Sequence, residues 1–249
     1  MKTVLYFFVS VILLCSCASY SNLYQVSSSS KGVKELNRYE YEDDKVKITY
    51  FFWDLNGTMA FSVYNKMEIP MYIDWKKSSL VRNSVKADYW IDEVNTKSKS
   101  DGSGSPSLYY GSFDFSSITL SKSVKSERVT FIAPKSTITR VRDELFNLEV
   151  ERVSRNAEST IISCPYNCNK IPVKVDRYTI EKNPFIFRNF ITISNTEDFA
   201  KEYYIDNEFY VSGIYKVKDK YFRRVYKDGN ATETVQPMES PKMFYSESY

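Results

Sequence analysis

Apolar and polar residues alternate with a period of two along much of this chain. Between Val46 and Trp53, Val46, Ile48, Tyr50 and Phe52 are interleaved with Lys47 and Thr49, the pattern of a strand with one buried face. Asp54-Leu55-Asn56-Gly57 follows, and Met59, Phe61 and Val63 resume the alternation. Asn-Gly supplies the two positive-φ positions of a type I′ turn, so this stretch predicts a tight hairpin. Downstream, Ile118 and Leu120, then Val129, Phe131 and Ala133, read as strands, with Pro134 placing the second at a sheet edge. Val141, Leu145 and Leu148 fit helical spacing, whereas Phe146, Leu148 and Val150 alternate as a strand would. We favour a strand over Phe146–Val153 because its neighbours are strands. Val173 with Val175, Phe185 with Phe187 and Phe190, and Phe209 through Val217 continue the strand pattern, while Asn195–Tyr203 predicts a short helical turn.

Composition points the same way. Tyr and Phe contribute 21 and 16 residues while Gly and Pro contribute 7 and 8, a bias that suits half-buried pleated strands. Lys and Arg number 34 against 31 acidic residues, so no single-sign field steers the chain toward nucleic acid. The absence of His removes Ser-His-Asp and Cys-His relays and the usual zinc ligand, leaving carboxylate pairs, a lysine base or substrate assistance as the remaining catalytic routes. With no catalytic constellation in view, the expectation is a protein that is not an enzyme. Glu42-Asp43-Asp44 and Asp92-Glu93 lie beside lysines or in loops and read as solvated turns, and Asp101-Gly102-Ser103-Gly104 lacks the Lys-Ser/Thr ending of a phosphate loop. No metal or cofactor is expected.

The N-terminus carries Lys2 and an apolar run from Val4 to Leu14, too short for a stable membrane span and suited to a signal-peptide core. Leu14-Cys15-Ser16-Cys17 at its end resembles a bacterial lipobox. That resemblance implies a signal peptide over 1–16, Cys17 as the first mature residue, acylation of its sulfur and amine, and attachment to a membrane through lipid. Ser16-Cys17-Ala18 also fits ordinary signal cleavage, and a retained helix is the third alternative. Residues 17–34 read as a flexible tether because they are small and polar, with serine at Ser27–Ser30. Within it, Leu23, Tyr24 and Val26 suggest only a brief strand. Ala18-Ser19-Tyr20-Ser21-Asn22 lacks the acidic run that resembles a surface-export signal, which implies the periplasmic face of an outer membrane.

Asn65, Pro70, Ile73, Asp74 and Ser78, within and just after Val63–Trp75, resemble a pattern in small immunoglobulin-like domains of bacterial envelope proteins. The chain is similar to uncharacterised lipoproteins of gut Bacteroidetes, a resemblance that carries fold and no catalytic residue. The expectation is an all-β chain: a single immunoglobulin-like antiparallel β-sandwich over 35–227, interrupted by a polar loop at 95–107, with a disordered tail at 228–249. Cys164 and Cys168, with three residues between them that include Pro165 and Asn167, suggest a small disulfide loop in an oxidising envelope. Tyr89-Trp90 and Tyr109-Tyr110 flank the polar loop, and exposed rings there would stack on sugar faces. Two functions are thereby expected: a membrane-anchored, non-catalytic binding or structural module with an envelope protein as partner, or a glycan-binding accessory lipoprotein.

Overall fold

The computed structural model describes residues 19–90, 127–142, 153–163, 170–183, 185–222, 224–228, 231–236 and 238–248. They form an all-β architecture of antiparallel sheets. The strands are β1 (Tyr20–Ser28), β2 (Val33–Glu35), β3 (Tyr39–Glu42), β4 (Val46–Phe51), β5 (Met59–Asn65), β6 (Met71–Asp74), β7 (Ser79–Arg82), β8 (Val85–Asp88) and β9 (Val129–Ile132). They continue as β10 (Thr137–Arg142), β11 (Glu158–Ile162), β12 (Ile171–Arg177), β13 (Ile186–Ser194), β14 (Glu202–Lys218), β15 (Arg224–Asp228), β16 (Ala231–Val235) and β17 (Met243–Ser248). Ten of these make one large sheet, whose main path is β11-β12-β14-β13-β6-β9, with β1 joining β14 to β17 and β7 joining β13 to β8. Five make the second sheet, in the order β10-β5-β4-β3-β2, and β15 pairs with β16 alone.

The period-two stretches of the sequence supply the inner face of the smaller sheet. Val46, Ile48, Tyr50, Met59, Phe61 and Val63 are buried and meet Phe187, Ile191, Ile193, Phe209 and Val211 of the larger sheet. Phe209 lies at the centre, with ring centroids 4.8 Å from Tyr50 and 5.3 Å from Phe52, edge-to-face geometries that favour interlocked packing over simple apolar contact.

A second, smaller core lies on the opposite face of the larger sheet and gathers Leu23, Ile171, Val173, Val175, Tyr215, Val217, Phe222 and Met238. A β-bulge creates it. Gln25 pairs with Gly213 and Val26 with Val211, so Ser212 is an extra residue in β14. Before the bulge Ile205, Phe209 and Val211 point into the first core; beyond it Ile214 takes that face, and Tyr215 and Val217 turn to the second. Gly213 sits close under the Tyr215 ring, which a Cβ there would meet at 3.1 Å, so any larger residue would need that ring to shift by a few tenths of an ångström.

Several expectations are corrected. Within the tether expected at 17–34, Tyr20–Ser28 is instead β1, the strand between β14 and β17, with Leu23, Tyr24 and Val26 buried. Its serines are partners in the sheet: Ser27 Oγ donates to Ser212 Oγ at 2.8 Å and Ser28 Oγ to the Glu208 carbonyl at 3.0 Å. The tail expected at 228–249 contributes β16 and β17, and Phe244 is fully buried, stacked on Tyr24 at 4.6 Å. The sandwich therefore runs past both ends of 35–227. In place of a helical turn at Asn195–Tyr203 there are bends in which Asp198 accepts from Thr196 Oγ1 (2.6 Å) and from Ala200 N (3.0 Å). Helical backbone occurs at Ile180–Lys182 and Asp219–Phe222.

The β4–β5 hairpin forms, and Asn56 and Gly57 take positive φ values of 59° and 72°. The connection is nevertheless longer than a two-residue turn. Its backbone is engaged by the C-terminal segment, with Phe52 N donating to the Pro241 carbonyl (3.0 Å) and Asn56 N to the Tyr245 carbonyl (2.7 Å). Strand β9 lies at the end of the sheet path ahead of Pro134, as expected, but in the opposite phase: Ile132 is buried and Phe131 faces out. The polar loop at 95–107, Ile118 and Leu120, and all of Phe146–Val153 except Val153 lie outside the described residues.

Candidate functional site

Tyr89, expected as an exposed stacking ring, is buried. It packs against Phe61 and Trp75, each with ring centroids at 5.9 Å, and its hydroxyl donates to Asn189 Oδ1 at 2.7 Å. The amides of Asn189 and Asn207 in turn donate to Tyr50 Oη at 3.1 and 2.8 Å. Burial pushes the Tyr50 phenol well above its ordinary pKa, so this network is a neutral hydrogen-bonded strut across the first core. Arg140 caps it, with its guanidinium 4.0 Å from the centroid of Trp75. Trp90 is half-buried against the same core, with the Lys76 ammonium 5.8 Å from its centroid. The other expected site residues, Cys17, Tyr109, Tyr110, Cys164 and Cys168, lie outside the described residues.

The motif residues Asn65, Asp74 and Ser78 are buried too, and all three work on backbone. Asn65 Nδ2 reaches the carbonyls of Ile69 (2.9 Å), Ala133 (3.2 Å) and Ile132 (3.3 Å), while its Oδ1 accepts from Met67 N. Asp74 Oδ1 accepts from the backbone N–H of Lys76 at 2.9 Å, and its Oδ2 from Arg128 Nη2 at 2.7 Å. Ser78 Oγ donates to the Asp74 carbonyl and accepts from Thr192 N. These groups join β5 and β6 to β9 and its flanks and to β13.

An outward-facing set of aromatics lies on the opposite surface of the same strands. Because Met71 and Ile73 enter the first core, Tyr72 between them faces away from it. The same alternation turns out Phe131 beside Ile132, Phe190 beside Ile191, and Tyr204 beside Ile205. Tyr72 and Phe131 are cross-strand partners with ring centroids 5.6 Å apart at 68°, and Phe190 stacks on Tyr204 at 5.4 Å and 23°. Phe131 and Tyr204 are each 55% exposed.

Charged groups border these rings. Glu202 accepts from the Tyr204 hydroxyl (3.0 Å) and from Lys77 Nζ (2.8 Å), and Arg188 pairs with Asp206 at 3.0 Å. The hydrogen bond from Lys77 holds Glu202 below the usual carboxylate range, and the one to Glu202 raises Tyr204. Burial raises Asp206. The two pairs of this strip, with the buried Thr192 and Ser194 between them in the register, each offer apolar planes, and the hydrogen-bonding groups lie at the edge of the Phe190–Tyr204 pair. The signal for it in the sequence was the adjacent apolar pair: Tyr72-Ile73, Phe131-Ile132, Phe190-Ile191 and Tyr204-Ile205 each place an aromatic at the position where a one-sided strand would carry a polar residue.

Among the described residues no three His, Cys, Asp or Glu gather as metal ligands, and no helix is long and apolar enough to cross a membrane. In comparisons with protein-family models, curated proteins and solved structures, nothing matches this chain.

Proposed function

We propose that this chain is a membrane-anchored envelope lipoprotein, lipidated at Cys17, which acts as a non-catalytic binding module and takes a glycan on the aromatic strip of Tyr72, Phe131, Phe190 and Tyr204. The strip is the observation that carries the ligand. Four rings on an outward sheet face, two of them more than half exposed, leave apolar area in water with no contribution to the core. A sugar ring has an apolar C–H face that covers such planes, and its hydroxyls meet carboxylate, ammonium and guanidinium groups of the kind that Glu202, Lys77, Asp206 and Arg188 hold at the strip's edge. The anchor is supported by the resemblance of Leu14-Cys15-Ser16-Cys17 to a lipobox, and the non-catalytic reading by a chain that contains no His. An immunoglobulin-like kinship and a periplasm-facing position at the outer membrane belong to the same proposal.

The test is affinity electrophoresis of the exported protein through gels containing neutral polysaccharides, comparing wild type with Phe131→Ala/Tyr204→Ala. Retardation by at least one polysaccharide, reduced about tenfold or more in the double variant as loss of two stacking contacts predicts, is the expected result. Migration unaffected by every polysaccharide, or equal retardation of the variant, would remove the glycan reading. Protease treatment of intact and of permeabilised cells reports the orientation: protection until the outer membrane is opened is expected.

A further inference from the structure

We propose that a lysine-lined groove at the start of β1 seats the domain on a bilayer surface bearing anionic phosphate headgroups. This inference rests on the lipoprotein reading for its source of membrane. Past the bulge, the first-core face of the larger sheet continues at β11, β12, the end of β14 and the beginning of β1. There Tyr20, Ile161, Pro172, Lys174, Lys216 and Lys218 line an open groove of about 590 Å³.

The groove has no role in the fold that accounts for its residues. Lys174 and Lys216 are direct cross-strand partners, a placement that like charges disfavour, and Lys218 is the partner of Tyr20 on the other side of β14. Among the described residues no carboxylate forms an ion pair with any of the three. Lys216 Nζ instead lies 4.5 Å above the Tyr20 ring, and Lys174 Nζ is 3.4 Å from the Arg155 carbonyl. The nearby Asp219 carboxylate accepts from Ser21 Oγ, and Ser21 alternates to the opposite sheet face from Tyr20. At the rim Ile161 is 64% exposed beside the exposed ring of Pro172. Ammonium groups on flexible stems, a tyrosine with its polar tip and a projecting aliphatic residue are the set that sits at a headgroup boundary.

Chain reach selects the bilayer over a soluble anion. Tyr20 opens β1 and stands three residues after Cys17, a span of at most roughly 11 Å. Acyl chains on Cys17 would therefore emerge beside the groove, and this end of the sheet would be held at headgroup depth.

The experiment uses the chain from Ser19 to Tyr249, which contains every described strand. It is sedimented with vesicles of phosphatidylcholine alone, or of phosphatidylcholine with phosphatidylglycerol, at low and high salt. Binding only to the anionic vesicles, weakened by salt and reduced roughly a hundredfold in Lys174→Gln/Lys216→Gln/Lys218→Gln, is expected, at about fivefold per lysine. Equal binding to both vesicles, no binding, or an unaffected triple variant would overturn the inference, as would affinity for soluble polyglucuronate without affinity for vesicles. A urea unfolding curve confirms that the variant is folded; if it is not, Lys218→Gln alone is read for a fivefold loss. Palmitate labelling of the full chain in bacteria separates the two proposals. Absence of label with vesicle binding intact sinks the lipoprotein reading alone, and label without vesicle binding sinks the groove alone.

Discussion

Asp74 shows how a single buried carboxylate sets a pH limit on this fold. Burial alone would raise its pKa, but the hydrogen bonds and charge of Arg128, with the backbone N–H groups of Lys76 and Lys77, outweigh burial and hold it below the ordinary carboxylate value. A folded-state pKa lowered in this way stabilises the protein at pH values above the unfolded carboxylate range, and that contribution disappears as pH falls through the lowered value. Arg128 is half exposed, so solvent screening limits the gain from the ion pair itself. We expect Asp74→Asn to lose about 1–3 kcal/mol at neutral pH, with the gap to wild type closing as the pH drops below about 4. Urea midpoints measured across that range check both sign and window; a gap independent of pH would refute the assignment. At this scale the sequence was partly legible. Asn65, Asp74 and Ser78 stood out as a pattern, and part of what they bind is local backbone, but their partners at Ile132, Arg128 and Thr192 lie 67, 54 and 114 residues away, and one-dimensional spacing does not contain that. Tyr89 was misread for a related reason: a tyrosine beside a polar segment looks exposed until Asn189, 100 residues on, accepts its hydrogen bond.

Strands with one buried face were readable from the sequence, and strands with two were not. β4 and β5 alternate because their outer face is comparatively open, so the pattern appeared where it was sought. β1 is buried on both sides by two cores and flanked by β14 and β17, yet it is written largely in Ser, Asn, Gln and Tyr. Those polar groups find partners inside the sheet, as Tyr215 Oη does in donating to Gln25 Oε1 at 2.7 Å, and so carry none of the desolvation penalty that made the segment look like a tether. β17 was obscured by the polar stretch ahead of it, with Pro237 and Pro241. Its dependence on β1 gives an element-level expectation: Phe244→Ala, which empties a fully buried site against Tyr24, should destabilise the whole domain by about 3–5 kcal/mol. Loss confined to fraying of the last residues, with an unchanged global urea midpoint, would mean that β17 is an accessory edge. The aromatic strip follows the same logic, since it shows only as pairs of neighbouring apolar residues whose outward member has no core to enter.

Across the whole molecule, β1 and β14 supply side chains to both cores, so the two cores share one wall. Trp75 packs in the first core and Trp53 against the second, which gives each a fluorescent reporter. With Trp90→Phe in the background, Trp53→Phe and Trp75→Phe variants should unfold in urea with coincident transitions, as expected for one cooperative unit. Two separated midpoints would show that the second core opens alone. The sequence conveyed the class of architecture and the near-neutral surface but not the bulge at Ser212, a single extra residue that redirects β14 from one core to the other. The pairing of first strand with last also governs the order of events in folding. Tyr24 Oη meets Ser246 Oγ across 222 residues and Ser21 Oγ meets Asp219 across 198, so β1 has no strand to pair with until β14 has been synthesised. Loop-closure entropy on that scale makes the assembly slow. A nascent chain therefore carries its first strand without a ladder throughout elongation, and any truncation ahead of Glu202 would leave that strand with neither of its partners.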